Sequence, residues 1–394
     1  MFSILLLIII YLSFISLGLP DSLLGSAWPS MYGPLNVPLH YAGFISMIVA
    51  GGTVISSILS EKVIKRFGTG IVTAVSVLLT AAALLGFSFS HSFLYLCLFA
   101  IPLGLGAGSV DAALNNYVAL HYKARHMSWL HCFWGVGTTI GPVIMSSYLI
   151  NKSSWNSGYR AISIIQFSLV LILFISLSLW KKGNSAGNKE SGSSISYKEI
   201  LSLAGVKEVL LTFFCYCSIE AITGLWGASY LVIIKGISAE IAAQWIALYY
   251  FGITIGRFLS GFITIKLNNR QMVRMGQIII GCGIIVMLLP FGGYTSLAGL
   301  FLIGLGCAPI YPSLIHETPK NFGRDHSQAI IGLQMASAYI GTTFMPPLFG
   351  RLASLIDFNI FPLFIGVILI VKVILTETLN RKIDKKNAGN NSVT

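Results

Sequence analysis

KKGNSAGNKESGSSISYKEILSLAG, residues 181–205, is the one long polar stretch in a chain of 394 residues. Its Gly, Ser and Lys content marks a flexible linker, and it divides the chain near its middle. On both sides the sequence is overwhelmingly apolar. Hydrophobic residues make up 55% of the chain and charged residues 10%, with a mean hydropathy of +0.81. A soluble protein needs far more surface charge, so much of this chain must face lipid. The apolar runs are helix-length rather than ten-residue alternating segments, which excludes an outer-membrane barrel and leaves an all-α membrane protein.

Outward from the linker, hydropathy predicts twelve transmembrane helices, near 3–31, 42–60, 70–88, 93–119, 128–149, 160–180, 206–233, 240–264, 272–291, 295–315, 327–349 and 357–377. The first run has no basic region before it and no small-residue cleavage site after it, so it is expected to stay as a helix. Loop charges set the orientation, because cationic loops resist translocation. Of the 25 Lys and Arg residues, 20 fall in alternate loops and at the C-terminal end, Lys372 counted among them. Four (Lys152, Arg160, Lys235, Arg351) fall on the other side, and Arg257 lies within a span near its cytoplasmic end, where it is expected to snorkel or to lock the halves together. Both termini are therefore expected in the cytoplasm, with the chain in the cell's inner (plasma) membrane. The net charge of +12 follows from this topology and calls for no nucleic-acid partner. All six cysteines (Cys97, Cys132, Cys215, Cys217, Cys282, Cys307) lie in apolar runs without polar co-ligands, as small hydrophobes rather than metal or redox groups.

The two halves repeat at an offset near 200. Gly104-Leu105-Gly106 matches Gly304-Leu305-Gly306, Ile140-Gly141 matches Ile340-Gly341, and Gly52 and Ser60 match Gly252 and Ser260. Asp21 and Gly25 match Glu220 and Gly224 at an offset of 199. The common offset predicts a six-helix bundle over 1–180, a linker over 181–205, a second bundle over 206–380 and a tail over 381–394. Two such repeats about an axis normal to the membrane form the architecture of major facilitator transporters, whose solute site lies between the halves at midplane.

Asp21, Asp111 and Glu220 are the acids expected within spans 1, 4 and 7. A carboxylate in hydrocarbon costs roughly 2.5 kcal/mol or more on insertion scales, so it should line a cavity, find a partner or hold a proton. These three are the expected proton-coupling groups. Gly104, Gly108, Asp111 and Asn115 share one helical face, as do Glu220, Gly224 and Gly227, with Trp226 beside them. His131, Trp134, Gly135 and Thr138 do the same before Gly141-Pro142. Span 10 offers Tyr311 between Pro309 and Pro312, and span 11 offers Gln334 and Tyr339. The expected solute-binding set is thus Asp111, Asn115, His131, Trp134, Trp226, Tyr311 and Gln334. Each also has a plainer reading as packing or as a structural hydrogen bond.

GLGAGSVDAALNNYV (104–118) and WLHCFWGVGTTIGP (129–142) resemble the span 4–5 signature of the fucose–proton symporter group within the major facilitator superfamily. That group carries an acid four residues before an Asn, which here are Asp111 and Asn115, and an essential acid on its first helix, which Asp21 resembles. The resemblance implies proton-coupled uptake of a sugar without a cofactor, by a monomer in the bilayer. His131 and Trp134 stand where the fucose permease pattern has Gln and Asn, which argues against fucose itself. The superfamily's loop signature between spans 2 and 3 is degenerate, with Lys65 in place of its Asp.

A drug–proton antiporter is the competing reading. Gly137, Gly141 and Pro142 fit its span 5 pattern, but Met145-Ser146 replace the expected Gly pair. A membrane enzyme would need a nucleophile–base or metal cluster, and the sequence offers none. A non-transporting nutrient sensor would carry the same sequence features, and only solute flux would distinguish it.

Overall fold

The computed structural model describes residues 2–122, 124–151, 153–180 and 197–391. The expected linker falls outside these over 181–196, as do Lys123, Lys152 and the last three residues of the tail. The first half comprises α1 (Phe2–Asp21), α2 (Leu23–Met31), α3 (Ala42–Phe67), α4 (Thr69–Phe89), α5 (Phe93–His121), α6 (Ala124–Ile150) and α7 (Trp155–Ile175). A short α8 (Tyr197–Ser202) precedes the second half: α9 (Val206–Ile233), α10 (Ala239–Ile263), α11 (Asn269–Leu288), α12 (Gly293–Cys307), α13 (Ile310–Phe322), α14 (Arg324–Leu355) and α15 (Phe361–Asn391).

Among the described residues, 11 helical spans are long and apolar enough to cross a membrane, with α1–α2 and α12–α13 each counting as one. The twelfth expected span is α14, a continuous helix of 32 residues that is too polar to qualify. One of its faces lines a cavity and carries polar groups such as Tyr339 and Thr342, while Ile340, Phe344 and Leu348 stand exposed on another. Ile175, Ile265 and Leu94 stand outward at 82%, 81% and 68% exposure, side chains that only lipid would cover.

Glycine contacts make the repeat visible in three dimensions. At Gly104 a Cβ would meet the Val49 carbonyl, and at Gly304 it would meet that of Tyr249, two hundred positions on. Gly106 abuts Ser76 and Thr80 as Gly306 abuts Gly276 and Ile280. The α3–α5 and α4–α5 crossings of one bundle thus recur as α10–α12 and α11–α12 in the other. Small residues let the helix backbones approach where lipid supplies no hydrophobic drive.

The expected first helix is broken at Ser22. Pro20 has no N–H to give the Ser16 carbonyl one turn back. The Gln166 amide of α7 donates to that oxygen instead, at 2.7 Å, which is how a proline is tolerated inside a membrane. The break leaves Asp21 at the end of α1.

At the face opposite the Lys- and Arg-rich helix ends, the halves are in contact. Gly25 of α2 backs onto the Gly224 carbonyl of α9, and Gly43 of α3 onto Pro347 of α14. Ser146 of α6 donates to the Glu240 carbonyl of α10 at 2.8 Å. Trp28 is fully buried there and donates to the Leu39 carbonyl at 2.6 Å. At the basic face, ion pairs staple the second bundle to itself: Arg274 grips Glu377 through two bonds of 2.7 and 2.6 Å, and Lys382 reaches Glu208 at 2.6 Å.

Two expectations need correction. Lys372, counted among the cytoplasmic cations, is fully buried inside the second bundle, and its amine has no hydrogen-bond partner among the described residues. It lies 12 positions into α15, which runs on to Asn391 in place of a separate tail after 380. Of the two roles expected of Arg257, snorkelling out to the basic face is not the one it takes. It turns inward to the cavity between the halves.

Candidate functional site

A cavity of about 1590 Å³ separates the two bundles. It extends to Asn268, His316, Glu317 and Lys320 at the basic face, and the opposite face is shut by the contacts of Gly25 and Gly43. Asp21, Asp111, Asn115, His131, Trp134, Glu220 and Tyr311 of the expected set line it, together with Arg257, Tyr216, Tyr250 and Tyr339.

Asp21 owes its position to two glycines. Gly18 and Gly137 let α1 and α6 cross so closely that a Cβ on Gly18 would meet the Trp134 carbonyl. One turn beyond Gly18, Asp21 then accepts a hydrogen bond from the indole N–H of Trp134 at 2.7 Å. The face of that indole carries the Arg257 guanidinium 4.9 Å from its ring centroid, a cation–π contact across the two halves. Arg257 Nη2 in turn lies 3.7 Å from Glu220 Oε1, an ion pair too long to be a hydrogen bond. A polar chain therefore runs Asp21–Trp134–Arg257–Glu220, from α1 through α6 and α10 to α9.

A second carboxylate stands apart. Asp111 accepts from the Asn115 amide at 2.9 Å, one helical turn along α5, and the same amide also reaches the Asp111 carbonyl at 3.0 Å. Gly104 and Gly108 on this face pack against Val49 and Thr53 of α3, which leaves the Asp111–Asn115 end to the cavity. His131 sets its ring edge-on to Phe14 at 5.9 Å. Tyr311 places its hydroxyl 3.3 Å from Met335 Sδ.

Two expected residues lie elsewhere. Trp226 is fully buried, donates to the Pro346 carbonyl at 2.8 Å and packs on Phe349 and Phe358. Six positions after Glu220, it points roughly 120° away around the helix. Gln334 is fully buried between α13 and α14, where it accepts from Thr318 at 3.1 Å. Neither lines the cavity. Conversely, Arg257 was not expected there, although an arginine inside an apolar span was the signal for it, by the same rule that singled out the three acids.

The family model described as Major Facilitator Superfamily matches residues 10–322 and, again, 209–392. The chain belongs to the major facilitator superfamily. The overlapping second match falls on the second bundle. Among relatives, the glucose/mannose transporter GlcP of Bacillus subtilis (strain 168) is 22% identical over 77% of each chain. The cis,cis-muconate transport protein of Acinetobacter baylyi is 22% identical over 84% of this chain and 83% of its own. Among solved structures, a bacterial homolog to human lysosomal transporter Spinster, in an inward-facing and occupied conformation, superposes with a TM-score of 0.74 at 11% identity, over 97% of both chains. This major facilitator chain is thus a multi-pass membrane protein of a transporter family, built as two pseudo-symmetric helical bundles. The polar chain and the Asp111–Asn115 pair line the cavity between them.

Proposed function

We propose that this protein is a proton-coupled symporter for a sugar or a similar small polar solute, working by alternating access. One observation carries the reading: two carboxylates, Asp21 and Asp111, line the cavity with an indole N–H and an amide as their hydrogen-bond partners. An acid within a membrane span, held by neutral donors at a cavity wall, can take and release a proton as water access alternates. In this scheme Asp21, Asp111 and Glu220 are the proton-coupling groups, Glu220 through its ion pair with Arg257. Asp111, Asn115, His131 and Tyr311 supply the hydrogen bonds that hydroxyl-rich solutes need. Trp226 and Gln334 have no direct role in it. Positive-inside topology makes the basic face cytoplasmic, and the cavity then opens inward.

GlcP is by name a sugar transporter, and the Asp111–Asn115 spacing resembles that of fucose–proton symporters, so both favour a sugar. His131 and Trp134 disfavour fucose. The test is uptake of a solute panel into proteoliposomes under an imposed pH gradient. Gradient-driven sugar accumulation is expected. Proton-driven export of hydrophobic cations would establish the antiporter instead, and binding without flux would establish a sensor.

A further inference from the structure

Arg257 is placed unlike a structural arginine. Its guanidinium sits over the Trp134 ring at 4.9 Å at the cavity wall, with Glu220 at 3.7 Å in place of a fork of short carboxylate bonds. The two bidentate bonds of Arg274 to Glu377, at 2.7 and 2.6 Å, show what a saturated pair in this protein looks like. Beside Arg257, the buried Tyr216 phenol is within reach of the guanidinium as a side-chain hydrogen-bond partner. A guanidinium at a cavity wall, against an aromatic ring and without a bidentate carboxylate, can take one through two parallel bonds.

We propose that Arg257 is a carboxylate subsite and that the solute is a sugar acid, a hexuronate or aldonate, which displaces Glu220 from the guanidinium. This rests on the transport reading above and names its substrate class. The exchange balances. The solute carboxylate forms two N–H···O bonds to Arg257, the Arg257–Glu220 contact breaks, and Glu220 takes one proton from hydronium in the bulk solution, which leaves neutral water. One anion and one proton enter the cavity together, and both leave when Glu220 recovers Arg257. The groups around Glu220 are Tyr216 and Cys217 on its own helix, Tyr249 and Tyr250 on α10 and Cys307 on α12, phenols and thiols, with Arg257 as the cation among them.

The experiment measures binding to the purified full chain by calorimetry, using glucose with glucuronate and gluconate, and galactose with galacturonate. Proton uptake is obtained by repeating each titration in buffers of different ionisation enthalpy. Wild type is expected to bind at least one acid about tenfold or more tighter than its neutral sugar, drawing protons as it does. Arg257→Gln should erase that preference, and Arg257→Lys should restore part of it. Glu220→Gln should tighten acid binding several-fold and draw one proton fewer. A purely structural ion pair would lose binding in both variants. Where Arg257→Gln does not fold, Glu220→Gln decides alone. Failure of every acid to bind, neutral sugars binding as tightly as their acids, acid preference surviving Arg257→Gln, or Glu220→Gln weakening acid binding would each overturn the proposal. Gradient-driven uptake of a neutral sugar with no acid bound would overturn the subsite and leave the symporter. Tight acid binding without any proton-driven flux would do the reverse.

Discussion

The indole N–H of Trp134 reaches the Asp21 carboxylate at 2.7 Å. The same ring faces Arg257 of the other bundle, so one side chain senses both the acid on α1 and the cation on α10. A change of charge at Asp21 would therefore be felt across the interface between the halves.

Trp134→Phe keeps the aromatic face under Arg257 and removes only the N–H. Loss of a hydrogen bond to a charged group is worth about 1.5–3 kcal/mol. Gradient-driven uptake should drop by roughly tenfold or more, whereas solute binding measured without a gradient should change less than threefold. Equal losses in both would mean that Trp134 only shapes the pocket.

Asp21→Asn should abolish accumulation under a pH gradient while leaving the protein folded. An amide still accepts the Trp134 bond but cannot exchange a proton. Counterflow exchange of labelled solute should persist. Full accumulation in this variant would remove Asp21 from the coupling path.

At the Asp111–Asn115 pair the expectation concerns discrimination. A site that hydrogen-bonds a hydroxyl leaves its own groups unpaired when that hydroxyl is missing. Deoxy analogues should bind wild type more weakly than the parent sugar, and the gap should shrink in Asn115→Ala. An unchanged gap would assign the pair to helix packing.

Gly25→Val should prop open the closed face, because a Cβ at Gly25 would meet the Gly224 carbonyl and the Leu225 Cα. Backbone cannot yield as a flexible side chain does. Spin labels at the outer ends of α2 and α9 should move apart by several ångströms in pulsed dipolar spectra, and transport should stall. Unchanged distances with normal uptake would show that the contact is slack.

Lys372→Met should raise the unfolding midpoint in detergent. The buried amine has no hydrogen-bond partner among the described residues, and an apolar chain of similar volume removes that penalty, roughly 1–4 kcal/mol. Uptake should stay at wild-type level. Destabilisation would mean that the amine has a partner in another conformation.

Much of the architecture was legible because membrane helices obey two strong constraints, apolar length and loop charge. The 200-residue offset also predicted which glycines would meet: Gly104 and Gly304 occupy equivalent crossings. Legibility failed where depth and rotation mattered. Lys372 was assigned by its distance along the chain, yet it lies within the span, and charge counting cannot separate a buried amine from a loop cation. Trp226 was placed beside Glu220 because they are near in sequence, although helical rotation turns it to Pro346. The sequence named no partner for Asp21, and that partner sits 113 positions away on α6, a relation that only the α1–α6 crossing creates.

The closed face is sealed by glycine, proline and neutral hydrogen bonds between the halves, as at Gly25, Gly43 and Ser146, whereas the ion pairs described at the basic face lie within the second bundle. Ionic strength therefore has little to act on at the seal. What holds it is close packing and direct hydrogen bonding, for which lipid is no competitor, so the seal answers to the size of a few small residues more than to a salt titration.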